Sequence, residues 1–223
     1  MTKNEVIMWF ESNKNQANID GMKRFGIISD KVFGLSLQQI EEIRKKIRKD
    51  HNLALELWDT GYHDVRHLAS IIADPKIIDE ETIDKWVRDF DNWAICDSVC
   101  GKLIQKTEFV YKKVDEWQYS DLLYVKRASF ALIAWISVHH KKLPDSFFGN
   151  YLEVIINHAE DDRHYIKKAV NWALRQIGKR NRNLAQEALI VCDTLRLKYP
   201  ESKSAKWIAG DAERELRKKY GII

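Results

Sequence analysis

The feature that most constrains the fold of this chain is a hydrophobic repeat of about 3.6 residues, which runs through nearly all of its 223 residues. Leu37, Ile40, Ile43 and Ile47 show it clearly, since they are spaced by three or four residues. With only 9 Gly and 3 Pro, the chain has little material for the turns of an all-β fold. The pattern therefore predicts an all-α fold of about 11–13 helices joined by short connections.

Capping residues predict where several of these helices begin. Ser36 is a candidate cap for the helix that starts at Leu37. Either Asp79 or Thr82 starts the helix that carries Trp86. Asn92 or Asp91 caps the helix that carries Trp93. The same periodicity predicts helices over residues 63–73, 107–117, 121–139, 144–158, 162–177, 183–199 and 202–220.

Three segments of the chain resemble one another: residues 63–69, 124–129 and 164–173. Each has one or two basic residues near a helix start, followed by small and aliphatic residues, and another helix lies between them. This spacing is typical of a HEAT-like array of helical pairs, whose second helices line a concave surface. Coincidence among lysine-rich helices is the alternative. No linker interrupts the pattern, so we predict a single domain over residues 1–223.

Charge is distributed unevenly along the chain. Residues 163–223 hold 15 Lys and Arg against 6 Asp and Glu, a net charge of +9, whereas the remaining residues hold 22 against 27, a net charge of −5. A basic C-terminal third suggests a polyanionic partner, and solvated helix faces are the alternative explanation.

Several classes of protein and site are not expected. There is no apolar run of about 18 residues and no signal-peptide core, so we predict a cytoplasmic protein without a membrane span. Cys96, Cys100 and Cys192 are too few for a disulfide framework or a thiolate zinc site, and Cys96 and Cys100 fit two buried small residues. The one His pair at ligand spacing, His63 and His67, has no acidic third ligand, so no metal site is predicted.

Two tryptophan–charge pairs are the candidate functional residues. Trp93 and Asp97 are four residues apart and share one helix face. A π-face beside an anion suits a ligand that is cationic or becomes so during reaction. Trp172 and Arg175, three residues apart on a basic segment, suit a phosphate backbone. Taken singly, each Trp could be a core aromatic and Asp97 a surface carboxylate or a cap.

Residues 57–63 (Leu-Trp-Asp-Thr-Gly-Tyr-His), 92–97 (Asn-Trp-Ala-Ile-Cys-Asp) and 165–175 together resemble the AlkD-like DNA alkylation repair proteins, in the family's order. The resemblance extends from about Gly21 to Lys219. It implies a HEAT-like repeat solenoid with a concave DNA-binding face. It also implies DNA glycosylase activity, without a cofactor, on positively charged alkylated bases such as N3-methyladenine and N7-methylguanine in duplex DNA.

The resemblance also assigns roles to individual residues. Asp97 matches the family's catalytic aspartate, and Trp93 and Trp172 match its two cleft tryptophans. Arg175 matches a DNA-contacting arginine. Either Arg127 or its neighbour Lys126 matches the arginine of the central repeat. Lys167 and Lys168 are further candidate phosphate contacts.

One position departs from the family pattern, because Ala94 stands where an acidic residue is usual. The alanine removes a nearby charge but leaves Asp97 in place. We therefore expect it to affect the rate of the reaction or the range of substrates, and not the chemistry itself. The other six Trp residues lack the matching charge partner and are predicted to serve packing. Nothing in the sequence requires more than a monomer. The competing hypotheses are a HEAT-like binding module that has lost the chemistry and a purely structural helical protein.

Overall fold

The computed structural model describes residues 1–222, and in this range every regular element is helical. The thirteen α-helices of the described residues are α1 Lys3–Ser12, α2 Gln16–Arg24, α3 Leu37–Ile47, α4 His51–Trp58, α5 His63–Ile72, α6 Glu80–Arg88, α7 Trp93–Lys102, α8 Val110–Trp117, α9 Leu123–His139, α10 Asp145–His158, α11 His164–Gly178, α12 Arg182–Lys198 and α13 Lys203–Tyr220. One 3₁₀ turn, Ile104–Lys106, follows α7. The predicted all-α fold class is confirmed.

Side-chain caps are present at each of the three helix starts for which a capping residue is predicted from the sequence. Ser36 caps α3 in a reciprocal arrangement with Gln39, in which each side chain bonds to the other's backbone N–H. Asp79 caps α6, and Asn92 caps α7. The helix α2 was not predicted, because Ile19 is its one buried residue and its polar surface gives no apolar stripe.

The chain forms two compact units, of which the first comprises Met1–Tyr111 and the second begins at Lys112. In the first unit α5 is central, since α3, α4 and α7 all pack against it. Its core contains the stacked rings of Trp58 and Trp86, with centroids 4.1 Å apart and planes within 3° of parallel. The Arg66 guanidinium lies 5.0 Å from the centroid of Trp58. The helix α7, which carries Trp93 and Asp97, packs directly against α5.

In the second unit α11 is central and packs against α9, α10, α12 and α13. Gly178, its last residue, lies so close to α12 and α13 that an added Cβ would sit 2.7 Å from Cδ1 of Leu216 and 3.1 Å from Cβ of Ala188. A glycine therefore allows the close approach of three helices at this point. The same packing fixes the orientation of the face of α11 that carries Trp172 and Arg175.

The predictions about the cysteines are confirmed, and those about the packing tryptophans are confirmed only in part. Cys96, Cys100 and Cys192 are all buried free thiols, as small core residues would be. Trp58, Trp86 and Trp117 are buried, as predicted for packing residues, but Trp207 is 38% exposed and does not belong to the core. None of the helices within residues 1–222 is long and apolar enough to cross a membrane. The single-domain assignment stays a prediction.

Candidate functional site

The helix α7 places Trp93 and Asp97 one turn apart, and both are partly exposed. Its start is fixed by Asn92, whose Oδ1 accepts hydrogen bonds from the backbone N–H groups of Ala94 at 3.0 Å and Ile95 at 3.1 Å. Trp93 is therefore the first helical residue. Because the cap leaves no freedom at this end, the positions of Trp93 and Asp97 relative to each other are set by the helix itself.

The indole of Trp93 is also held by the connector between α2 and α3. Its Nε1–H donates to the backbone carbonyl of Phe25 at 2.8 Å. The Phe25 side chain is 70% exposed beside this contact. A hydrogen bond at the indole nitrogen restricts rotation of the ring, so Trp93 presents a fixed π-face rather than a mobile one.

In the second unit, the first turns of α11 carry basic side chains. Its first turn has no acidic residue, and its cap residue, Arg163, makes no side-chain capping bond. Burial, followed by the charges of Lys168, Lys167 and Arg127, lowers the pKa of His164. The Lys167 ammonium lies 5.3 Å from the ring centroid of Trp207, and Lys168 is exposed without a hydrogen-bond or ion-pair partner among residues 1–222. Free backbone N–H groups and unpaired ammonium groups together favour an anion here.

Trp172 lies one turn further along α11 and is partly exposed. Its ring meets that of Trp135 edge to face, with centroids 5.6 Å apart, and Trp135 in turn stacks on His139 at 5.3 Å. From the sequence, Trp135 is predicted to serve packing. Trp135 packs against Trp172 and supports the ring of that candidate residue.

Arg175 is held by two carboxylates of α13. Its Nη1 donates to Glu215, and its Nε lies 3.7 Å from Asp211. Lys179 pairs with Glu215 as well. Burial raises the pKa of Glu215, but the hydrogen bonds from Lys179 and Arg175 outweigh it and the net pKa is lowered. The arginine that the resemblance assigns to DNA is thus part of an intramolecular ion-pair network.

The two alternatives for the central arginine also have internal partners. Arg127 is 6% exposed, and its Nη1 donates to the backbone carbonyl of Tyr165 at 2.6 Å. Lys126 pairs with Asp161 at 3.1 Å, and Arg163 binds the same carboxylate at 2.6 Å. Burial raises the pKa of Asp161, yet the hydrogen bonds from Arg163 and Lys126 lower it to about 2. The DNA-binding roles of Arg127 and Lys126 stay predictions.

The sequence reasoning did not find the residues that hold the candidate side chains. These are the carbonyl of Phe25, Trp135, and the carboxylates Asp161, Asp211 and Glu215. The Phe25 contact joins positions 68 residues apart and involves a backbone atom, so the sequence carries no signal for it.

Residues 6–212, almost the whole chain, match the family model described as DNA alkylation repair enzyme. This chain belongs to the DNA alkylation repair enzyme family. No curated protein has significant sequence similarity to this family member. Among solved structures, it is similar to one described as "A new family of proteins related to the HEAT-like repeat DNA glycosylases with affinity for branched DNA structures".

That similarity has a TM-score of 0.78 at 22% sequence identity and covers 86% of this chain and 83% of the other. It shows that this member of the DNA alkylation repair family has the fold of the HEAT-like repeat DNA glycosylases. The predicted family and fold are confirmed.

Proposed function

We propose that this protein is a monofunctional DNA glycosylase that releases positively charged alkylated bases, of the N3-methyladenine and N7-methylguanine type, from duplex DNA. The observation that carries the proposal is the pairing of Trp93 and Asp97 on one partly exposed face of α7, in a chain of the DNA alkylation repair enzyme family. An aromatic face beside a carboxylate complements a centre that becomes cationic.

The chemistry needs few groups because alkylation has already activated the base. A cationic base leaves with the electron pair of the glycosidic bond and becomes neutral, so no strong general acid is required. The positive charge moves to the deoxyribose, which becomes an oxocarbenium-like centre. Water then adds at the anomeric carbon and gives up a proton. Asp97 stabilises the sugar's developing charge and orients this water.

The tryptophans contribute binding and positioning. A π-face against a cationic sugar contributes roughly 0.5–2 kcal/mol. Because the Phe25 carbonyl fixes the Trp93 indole, that face is in place before the substrate arrives, and less entropy is lost on binding. Trp172, supported by Trp135, is proposed to contact the nucleotide in the same way.

The cations of the second unit are proposed to bind the phosphate backbone. Lys167 and Lys168 lie at the uncapped start of α11 and have no ion-pair partner within residues 1–222. Arg175, Arg127 and Lys126 add positive charge, although each also has an internal partner. Such contacts set affinity and register but carry no base specificity.

The deciding experiment is incubation of the purified protein with duplex DNA that has been methylated to carry both lesions, followed by chromatography of the released bases. We expect N3-methyladenine and N7-methylguanine in the supernatant, with abasic sites left intact in the DNA. A buffer control measures spontaneous depurination. Release no faster than this control would remove the glycosylase proposal.

A second candidate function is a DNA-binding module without base excision. It is favoured by one observation: the similar solved structure is described as having affinity for branched DNA structures. Binding to a four-way junction and to a linear duplex of equal length separates the two candidates. Strong junction preference without base release supports the binding module.

A further inference from the structure

The first unit contains a cavity of about 600 Å³ beside Trp93, lined by residues of α2, α3, α5 and α7 and of the connector between α2 and α3. Its apolar wall consists of Met22, Ile27, Leu35, Leu37, Ile40 and Ile71. Ligand pockets usually occupy about 300–1,000 Å³ and combine apolar walls with a few polar groups. The size and the wall of this cavity both fall within that pattern.

Two histidines of α5, His63 and His67, are among the polar residues that line the cavity. The side-chain oxygen Oδ1 of Asn92 accepts hydrogen bonds from the backbone N–H groups of Ala94 and Ile95. The amide Nδ2 of the same side chain is therefore the group that faces His63, and it donates to Nδ1 of His63 at 3.1 Å. In neutral His63 the proton therefore lies on Nε2, which is a donor. No residue in the range 1–222 binds this Nε2.

His67 pairs with the hydroxyl of Ser98, whose Oγ lies 2.8 Å from Nδ1. Burial, followed by the charges of His63 and Lys102, lowers the pKa of His67 to about 4. Burial also lowers the pKa of His63. Both imidazoles are therefore neutral near pH 7, and each offers one ring nitrogen to a ligand.

The two carboxylates on the cavity wall already have partners. Asp64 is 2% exposed and accepts hydrogen bonds from the backbone N–H groups of Phe33 at 2.7 Å and Gly34 at 3.1 Å. Glu41 accepts two hydrogen bonds from Arg44, both at 2.7 Å. The interior thus presents apolar surface, an indole and neutral hydrogen-bonding groups, and the exposed ammonium of Lys102 also lines the cavity, so the site suits an uncharged planar heterocycle and disfavours a cation.

We propose that this cavity binds a neutral purine base, and that its ligand is the alkylated base after its release. The inference rests on the proposed function, since cleavage of the glycosidic bond converts the cationic lesion into a neutral base. Ala94, which follows Trp93 and lines the cavity, makes room for the ligand. A carboxylate at this position would place a charge in the space, so alanine favours an uncharged occupant.

Binding of free 3-methyladenine and free 7-methylguanine tests the inference directly, by equilibrium dialysis and by saturation-transfer NMR. We expect dissociation constants at or below about 1 mM, a realistic value for ligands of this size. The fixed cation 3,9-dimethyladeninium should bind at least about tenfold more weakly, because it would bring an unpaired charge into the cavity. Equal binding of the cation would overturn the charge argument.

Three variants locate the site. Ala94→Leu fills the cavity and should weaken base binding by at least about tenfold. Ala17→Leu, the same change at an exposed position of α2, should leave binding unchanged. Ser98→Ala removes the hydroxyl partner of His67 without filling space, and should weaken binding by about threefold or more. If Ala94→Leu and Ser98→Ala bound the base as tightly as Ala17→Leu does, the ligand would lie elsewhere and the inference would be refuted.

Excision assays with added free base separate this inference from the proposed function. We expect the free base to inhibit excision by the unmodified protein and to inhibit Ala94→Leu less. Excision without any base binding would refute the cavity assignment and leave the glycosylase proposal intact. Base binding without excision would support the ligand class and remove the glycosylase proposal.

Discussion

Replacing Asp97 by asparagine tests the role of the carboxylate with almost no change in shape. On α7 the side chain is partly exposed, and asparagine has nearly the same volume, so the change creates no cavity in the core. What it removes is one negative charge beside Trp93. The transition state needs that charge because positive charge develops on the sugar.

The size of the effect follows from the burial of the group. A well-placed electrostatic group in a water-excluded site contributes about 2.7–4 kcal/mol to transition-state stabilisation, or two to three orders of magnitude in rate. Because Asp97 is partly exposed, solvent screens its charge and the lower end applies. We therefore expect the single-turnover excision rate to fall by about a hundredfold, which corresponds to roughly 2.7 kcal/mol.

Excision of 7-methylguanine under single-turnover conditions gives the rate, and titration with undamaged duplex gives the affinity. Affinity should stay constant or rise, because the carboxylate repels nearby phosphates. Asp193→Asn is the matched control, since Asp193 is 72% exposed on α12 and pairs with Arg196 there. If Asp97→Asn excised the base at the unmodified rate, the assigned role would be wrong.

Further expectations concern DNA binding and stability. Affinity for undamaged duplex should fall steeply with salt, and Lys168→Ala should reduce the slope of log affinity against log salt by about one; an unchanged slope would remove Lys168 from the DNA contact. Gly34 has a φ of +77° and an added Cβ would lie 2.4 Å from the Asn15 carbonyl oxygen, so Gly34→Ala should lower the free energy of unfolding by about 2 kcal/mol or more in chemical denaturation. Gly149→Ala, at a helix position with open space around it, should raise it by about 1 kcal/mol. Burial lowers the pKa of His67 from about 6.5 in the unfolded chain to about 4 in the fold, so its contribution to stability is complete above pH 6.5 and is lost as the pH falls toward 4; His67→Gln should flatten this part of the stability profile.

Local sequence rules predicted most of the helices because helix starts and faces are encoded within a few residues. Ser36 was predicted as a cap, and Asn92 as one of two candidates beside Asp91, from the residue type and the apolar pattern that follows; Ser36 and Asn92 both make the capping bonds. The rules failed at α2, where Asn15 caps a helix that buries little. A short polar helix is stabilised mainly by its neighbours, and periodicity cannot detect them.

The candidate site was predictable only in part for the same reason. The spacing of Trp93 and Asp97 is a property of one helix, so it can be read from the sequence. The Phe25 carbonyl that fixes Trp93 and the Glu215 carboxylate that binds Arg175 lie on other elements. Pairing between elements depends on how the helices pack, and charge counts along the chain do not distinguish an arginine that faces DNA from one that faces a carboxylate.

The ion pairs of Arg175 provide a test of its role that does not remove the arginine. Glu215→Gln deletes the charge that Arg175 and Lys179 share, so Lys179 loses this partner and Arg175 keeps its longer contact with Asp211, 3.7 Å away. If Arg175 contacts DNA as the resemblance implies, affinity for duplex should rise and the salt slope should steepen by about one, since a phosphate replaces the lost carboxylate as partner. Glu213→Gln is the control on the same helix, because Glu213 pairs instead with Arg196 and Arg217. Unchanged affinity and slope in Glu215→Gln, with the protein still folded by circular dichroism, would show that Arg175 serves the packing of α11 against α13 and does not bind DNA.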